Sequence, residues 1–550
     1  MSLQPQAVYI VPAETDRVAH AIFPKPNPIM QMYDEFGVLF NDADFADLFS
    51  PRGQPALAPV RLALASLLQF LEGLTDRQAA DAVRTRIDWK YLLCLDLTDP
   101  GFDHTVLSEF RTRLLAHNAE RRLFDTLLAM AQDRGLLKAG GRQRTDSTHI
   151  LSAARTLTRL ECVLETLRHA LNVLAGVAPA WVLAPTTAEW VERYGARASE
   201  YRLPKSETKR RQFAEQVGRD GIALLTAVYS PTAPLALREL EAVQILRRVW
   251  IQNFMIMEGQ LQWRGNNDTP PTSQYIGSPY DTETRFANKG SLTWTGFKVH
   301  LTETCDEERP NLITNVATTT ASVADDAVTD GIHASLAEAE LLPDKHIADT
   351  GFVNSKLFVE SQGKYKVHLI GPTRSDNQWQ AKAGQGFAAQ NFVIDWVGQR
   401  AICPQGRTSS SWTPAIDKGT NQVIKIKFGT RECKGCPRAA QCTRSAPPRR
   451  TITIRPQAQH EALLAGRQRE QSAGYRAEYA RRAGIEGTIA QGVRRCGMRR
   501  SHYYGQTKIH LQHLLVAAAL NLIRLIRWLG GEPKAKTAVS AFARLYQPAA

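Results

Sequence analysis

The chain has 550 residues, 43% hydrophobic and 22% charged, the composition of a soluble globular protein, and its length suits roughly three or four domains. Eight cysteines in this length exclude a disulfide scaffold and fit a reduced, cytoplasmic protein. A formal net charge of +14 and a sequence pI of about 9.4 point to a polyanionic partner, most simply nucleic acid, over the plainer reading of a merely basic protein.

The opening, MSLQPQAVYIVPAETDR, lacks the basic segment and apolar run of a signal peptide. Residues 1–50 read as an N-terminal arm. Residues 51–138 read as a helical domain. VRLALASLLQFLEG is strongly apolar, and TDRQAADAVRTRIDWKYLL begins on Thr75 as a helix cap. After a Pro-Gly break, HTVLSEFRTRLLAH and AERRLFDTLLAMAQDRG carry apolar residues at three-four spacing. Helices joined by short turns suit a helix-turn-helix reader of double-stranded DNA. Thr105 to Arg113 would then be the recognition helix, presenting Arg111 and Arg113. A packing module without groove contact is the equal alternative.

At Arg142 the character changes. RQRTDSTHIL is β-rich and follows Gly-Gly, as a strand would. Residues 155–280 form a helical insertion that ends in the polar loop WRGNNDTPPTSQYIGSPY. FKVHLTET alternates apolar with polar residues, and NLITNVATT completes a hairpin. DDAVTDGIHASLAEAEL is an amphipathic helix, HIADTG a strand ending on Asp349, and KVHLIGPT another strand. This is an α/β layout around a mixed sheet. Its core takes in 139–154, 281–375 and 471–531. Residues 376–470 form a small cysteine-containing β insertion, and 532–550 a flexible tail. The apolar stretch Leu514 to Leu529 is interrupted by Asn521, Arg524 and Arg527, too polar for a membrane span; it is expected to pack behind the sheet.

Two strands carry an acid where a core residue would be ordinary: Asp146 in TDSTHI and Asp349 in ADTGF. Each alone could cap a strand end. Together on one sheet they suit divalent metal binding, because hard oxygen ligands are what Mg²⁺ requires and two such ions can drive phosphodiester chemistry without a protein nucleophile. Tyr479, Arg482 and Glu486 stand at i, i+3 and i+7 in YARRAGIEG, on one face of a helix. Glu486 could bind metal, Arg482 a phosphate, and Tyr479 could stack nearby; a solvated Glu–Arg pair is the plainer reading. Between Arg431 and Lys508 there are seventeen Lys and Arg against five Glu and no Asp, close to the whole surplus of charge. Cys433, Cys436 and Cys442 form C-x2-C-x5-C, with Cys403 upstream. Four thiolates would make a structural Zn²⁺ site; reduced cysteines without metal are the alternative.

These residues resemble the bacterial insertion-sequence DDE transposases that carry a tyrosine-arginine-glutamate-lysine signature, closest to the IS eleven-eighty-two group. The resemblance runs through SLLQFLEGLTDRQAADAVRTRIDWKYLLCLDL and FRTRLL, TDSTHI, RYGARASEYRLPK, DTETRFANK with WTGFKVH, ADTGF, the cysteine cluster, and IEGTIAQGVRRCGMRRSHYYGQTKIHLQHLLVAAALNLIRL. It implies an RNase H-like catalytic core, two Mg²⁺ or Mn²⁺ ions on Asp146, Asp349 and Glu486, and binding of terminal inverted repeats and target DNA. It also suggests that Arg285, Lys289 and Lys298 face DNA. The signature places Lys seven residues after its Glu, where this chain has Val493. Arg494 and Arg495 follow directly, Arg499 and Arg500 lie just beyond, and Lys508 is a second candidate. Two ends must be held together, so a homodimer is expected. A DNA-binding protein that has lost cutting, and a nuclease that cuts without joining, are the competing readings.

Overall fold

A computed structural model describes residues 2–6, 8–199, 203–534, 542 and 545. The tail expected over 532–550 lies beyond Lys534 outside the described residues, Phe542 and Leu545 apart. The central sheet is built from β1 (Arg142–Leu151), β2 (Arg285–Lys289), β3 (Leu292–Thr304), β4 (Ile313–Thr320), β5 (Lys345–Ala348) and β6 (His368–Ile370). Its order is β4–β3–β1–β5–β6, with β2 pairing the first residues of β3. β3 runs antiparallel to β1, β2 and β4, while β5 and β6 run parallel to β1. The sheet is therefore mixed: a meander on one side of β1, crossover strands on the other.

Helices α1 (Pro59–Glu72), α2 (Asp76–Thr85), α3 (Thr105–Ala116) and α4 (Arg122–Asp133) precede the sheet. Thr75 caps α2 in a capping box, with Gln78 returning the bond. After the insertions come α8 (Ala473–Ala480), α9 (Gly484–Cys496) and α10 (Gln506–Leu529); α5 to α7 belong to the helical insertion and are given below. α1 and α10 are buried on almost every face. Helices that are apolar all round need neighbours on all sides. One continuous core therefore joins the N-terminal helices to the sheet: Leu67, Phe110 and Phe124 share it with Phe297, Leu301, Ile485 and Leu522. α10 meets the length and hydropathy of a membrane span, yet 89% of that stretch is buried inside the protein. Asn521 in its middle is paired rather than stranded: it accepts from Ile313 N and donates to Ile313 O, both at 2.8 Å, fastening α10 to β4.

Two expectations change here. Residues 1–50 are not an arm: Phe40, Phe45 and Leu48 are buried in the main core, and buried Asp42 accepts from Tyr9 Oη at 2.6 Å and Val60 N at 3.1 Å. Nor does α3 present Arg111 to a groove. Arg111 is 5% exposed, paired with Asp76 at 2.6 Å and set against the Tyr503 ring. Arg113 lies over the Phe49 ring and donates to Leu48 O. A basic residue at helical spacing reads the same in sequence whether it faces DNA or a neighbouring ring.

The insertion has its own core among α5 (Arg159–Val177), α6 (Glu207–Val228) and α7 (Glu241–Asn253), centred on Val217, Leu246 and Trp250. The cysteine module folds around a three-stranded antiparallel sheet, Ser411–Ile416, Gln422–Lys427 and Thr451–Ile454, over Ile426, Phe428 and Ile452.

Four histidines are buried: His300, His333, His346 and His513. Thr145 Oγ1 lies 2.6 Å from His346 Nε2, and His346 Nδ1 lies 2.7 Å from His333 Nε2. Burial holds all four neutral, pushing His300 and His333 down to about 4 and His513 to about 3. Unfolded histidines titrate near 6.5, so below that pH the unfolded chain binds more protons than the folded one. Stability is then complete above pH 6.5 and is lost as the pH falls toward 4. A melting series from pH 7.5 to 4.5 should show a falling midpoint below 6.5; a flat profile would mean these histidines are already protonated in the fold.

Candidate active site

β1 and β5 are adjacent and parallel, paired up to Thr145 opposite Ala348. Asp146 and Asp349 are the next residue on each, so the two carboxylates emerge side by side at one edge of the sheet. Burial pushes the Asp146 carboxyl above its usual range, and the charge of Asp349 adds to the rise; Ser147 N–H and Arg482 oppose it. Asp146 Oδ1 accepts from Ser147 N, and Asp349 Oδ1 from Gly351 N, both at 2.8 Å.

Glu486 reaches this edge through Arg482. The guanidinium donates to Asp146 Oδ2 at 2.9 Å and to Glu486 Oε1 at 2.6 Å. It is thus a cation lodged between two acids. Tyr479 stacks on Tyr475, rings 5.9 Å apart and 4° from parallel. Burial, then the charges of Asp349 and Asp146, raises its phenol against the pull of Arg482. Asp146, Asp349, Glu486, Tyr479 and Arg482 therefore meet. They do so without the continuous helix that the spacing predicts: α8 ends at Ala480, Arg481–Ala483 is a three-ten turn, and α9 starts at Gly484. Arg144 explains the break. Its guanidinium takes the Arg481 carbonyl at 2.5 Å and fills the space a side chain at 484 would need.

The anchor beneath α9 was not visible in the sequence. Glu303 on β3 is wholly buried. Its Oε1 accepts from Arg144 at 2.6 Å; its Oε2 accepts from Thr488 Oγ1 at 2.6 Å and Arg524 at 2.9 Å. One carboxylate thereby ties β1, α9 and α10 together.

A groove of roughly 360 Å³ opens beside the acids, lined by Asp146, Thr148, Glu486, Val493, Arg494 and Arg499 among others. Arg499 donates to Thr148 Oγ1 at 2.9 Å. Val493 lines the groove where the signature has Lys, with Arg494 beside it. Arg495, Arg500 and Lys508 are exposed but do not line it. Lys289 is exposed on β2. Arg285 differs from expectation: its guanidinium is used up on the carbonyls of Ser273, Thr282 and Thr284. Lys298 is near the site but bonded to Val323 O at 2.8 Å and Asp325 at 3.0 Å.

Cys403, Cys433, Cys436 and Cys442 line one small cavity. Burial pushes the Cys442 thiol up to about 11, and the other three thiols act the same way against Arg450. Cys403 Sγ also accepts from Arg407 N at 3.3 Å. Cys94, Cys162, Cys305 and Cys496 are buried apart from them. Among the described residues, no three His, Cys, Asp or Glu side chains converge closely enough to hold a metal ion as they stand.

Residues 402–526 match the family described as "Transposase DDE domain", and residues 18–113 match "Transposase domain (DUF772)". Searches of curated proteins and of solved structures returned no match. The first match takes in the cysteine module from Ile402, Glu486 and most of α10, and the second the N-terminal helices, so this chain is similar to transposases over two separate stretches.

Proposed function

We propose that the protein is a DDE-type DNA transposase of an insertion sequence, with an RNase H-like core, acting on double-stranded DNA at terminal inverted repeats. The observation that carries this reading is the meeting of Asp146, Asp349 and Glu486 at one sheet edge beside a groove containing Arg494 and Arg499. A sheet with three antiparallel strands continued by two parallel ones supports the RNase H-like assignment.

The acids suit a divalent cation. Asp146 is a buried carboxylate raised by a like charge, and the Arg482 guanidinium already lodges between Asp146 and Glu486, so the place accepts positive charge. All donors are hard oxygens, the ligands of Mg²⁺ or Mn²⁺. When bound, two such ions would supply activation of the attacking oxygen and stabilisation of the leaving one. Around them, Arg482, Arg494 and Arg499 would hold backbone phosphates, and Tyr479 would border the reacting strand. Water attacks the phosphodiester at the element's end, and the freed 3′ hydroxyl then attacks target DNA. Neither step needs a covalent bond to the protein. Two chains would hold the two ends.

The thiols around one cavity suit a single structural Zn²⁺ on Cys403, Cys433, Cys436 and Cys442. Elemental analysis should find one zinc per chain, and a strong chelator should lower the melting midpoint; zinc-free protein of unchanged stability would remove this assignment.

The function is tested with DNA carrying the sequences that flank the reading frame. Mg²⁺-dependent cutting at defined ends, followed by joining to a second DNA, is the expected result. Binding without cutting would favour the DNA-binding reading, and cutting without joining the nuclease.

A further inference from the structure

The turn after β4 holds a carboxylate that the three acids do not account for. Asp325 opens the three-ten turn Asp325–Val328, and its side chain is 14% exposed. It reaches back to the same sheet edge: Ser147 Oγ donates to Asp325 Oδ2 at 3.4 Å, one residue from Asp146. Gly351 separates it from Asp349. A Cβ at Gly351 would lie 2.9 Å from Asp349 Oδ1 and 3.2 Å from Asp325 Oδ2. The glycine thus keeps open a space that both carboxylates border.

Two cationic or polar groups are directed at the same place. His300 is wholly buried, and its Nδ1 has no hydrogen-bond partner; it faces Asp325 Oδ1 at 4.0 Å. Lys298 Nζ lies 3.0 Å from Asp325 Oδ1, so an ammonium satisfies this acid in the present conformation. A buried polar atom without a partner and a lone ammonium beside a space between two acids are what a site for a larger positive charge leaves when only a monovalent group covers it.

We propose that Asp325 is a fourth oxygen ligand for the divalent cation beside Asp349, held in reserve by Lys298; this rests on the acidic site proposed above. Loading a divalent ion would draw Asp325 off the ammonium, and Lys298 would be released toward the DNA phosphate in the same event. Gly351 is needed because any side chain would fill the space between the two ligands.

The test is Mn²⁺ titration of the full-length protein without DNA, with free Mn²⁺ read by electron paramagnetic resonance. Asp325→Asn should weaken binding roughly tenfold or more, the size seen when a metal site loses a supporting group. Gly351→Ala should weaken it similarly while removing no charge, which guards against a folding defect in the first variant. Lys298→Met should tighten it, because Asp325 no longer has a competitor. Asp349→Asn should lose the site. Wild-type affinity in Asp325→Asn, with loss in Asp349→Asn, would overturn the fourth ligand alone. Wild-type affinity in Asp349→Asn would overturn the acidic site itself. Weakening in both Lys298→Met and Asp325→Asn would make the pair a structural bridge and overturn the proposal.

Discussion

Replacing Asp349 with alanine should abolish cutting of the element's ends, by about 10³-fold or more, because positioning the ions supplies several kcal/mol of transition-state stabilisation. DNA binding should persist, since the basic groups of the groove are untouched. The fold should persist too. The Asp349 side chain accepts one bond, from Gly351 N in its own loop, and its charge works against the neighbouring buried Asp146. Removing it relieves that repulsion. Paired cleavage and mobility-shift assays separate the two effects. Undiminished cleavage by Asp349→Ala would show that the wrong acids have been chosen, whatever the wild type does to DNA.

Glu303→Ala should be the most damaging single change to stability. Its carboxylate answers two guanidinium groups, Arg144 and Arg524, and the Thr488 hydroxyl, all in surroundings closed to solvent. Deleting one partner of a buried ion pair leaves uncompensated charge and costs about 3–5 kcal/mol. The loss should show in urea as a lower midpoint with the slope kept. Cleavage should fall as well, because Arg144 holds the carbonyl of Arg481, the residue before Arg482. Glu303→Gln keeps the shape and should lie between wild type and alanine. A midpoint unchanged in Glu303→Ala would mean that α9 is held by apolar packing alone.

What the sequence disclosed follows from period and chemistry. Asp146 and Asp349 stand out because an acid at the end of a β-rich segment breaks the expected pattern, and the strands that carry them lie where the alternation puts them. Tyr479, Arg482 and Glu486 share a face by spacing, and they meet, although through a three-ten turn forced by Arg144. Glu303 and Asp325 were not legible. Nothing local distinguishes a carboxylate at the centre of an ion network from one on a solvated strand, and the distinction arises only when β1, α9 and α10 close around it. Arg111 and Arg285 failed in the opposite sense: their charge suggested a DNA-facing surface, whereas neighbouring carbonyls, a ring and Asp76 take it up. The segment before Ser50 looked loose because prolines and polar residues dilute its apolar ones, yet Phe40 and Phe45 fill the core.

α10 joins the core shared by the sheet and the first helices, and this has a consequence for synthesis in the cell. At about 5–20 residues per second, the ribosome needs roughly half a minute or more to reach residue 506. Throughout that time α1, α3 and α4 lack the surface they pack on. A polypeptide cut short before Leu529 would leave those apolar faces uncovered, a substrate for chaperones and proteases rather than a DNA-binding fragment. Interrupted translation would then yield no partial product able to occupy the element's ends and compete with the complete enzyme.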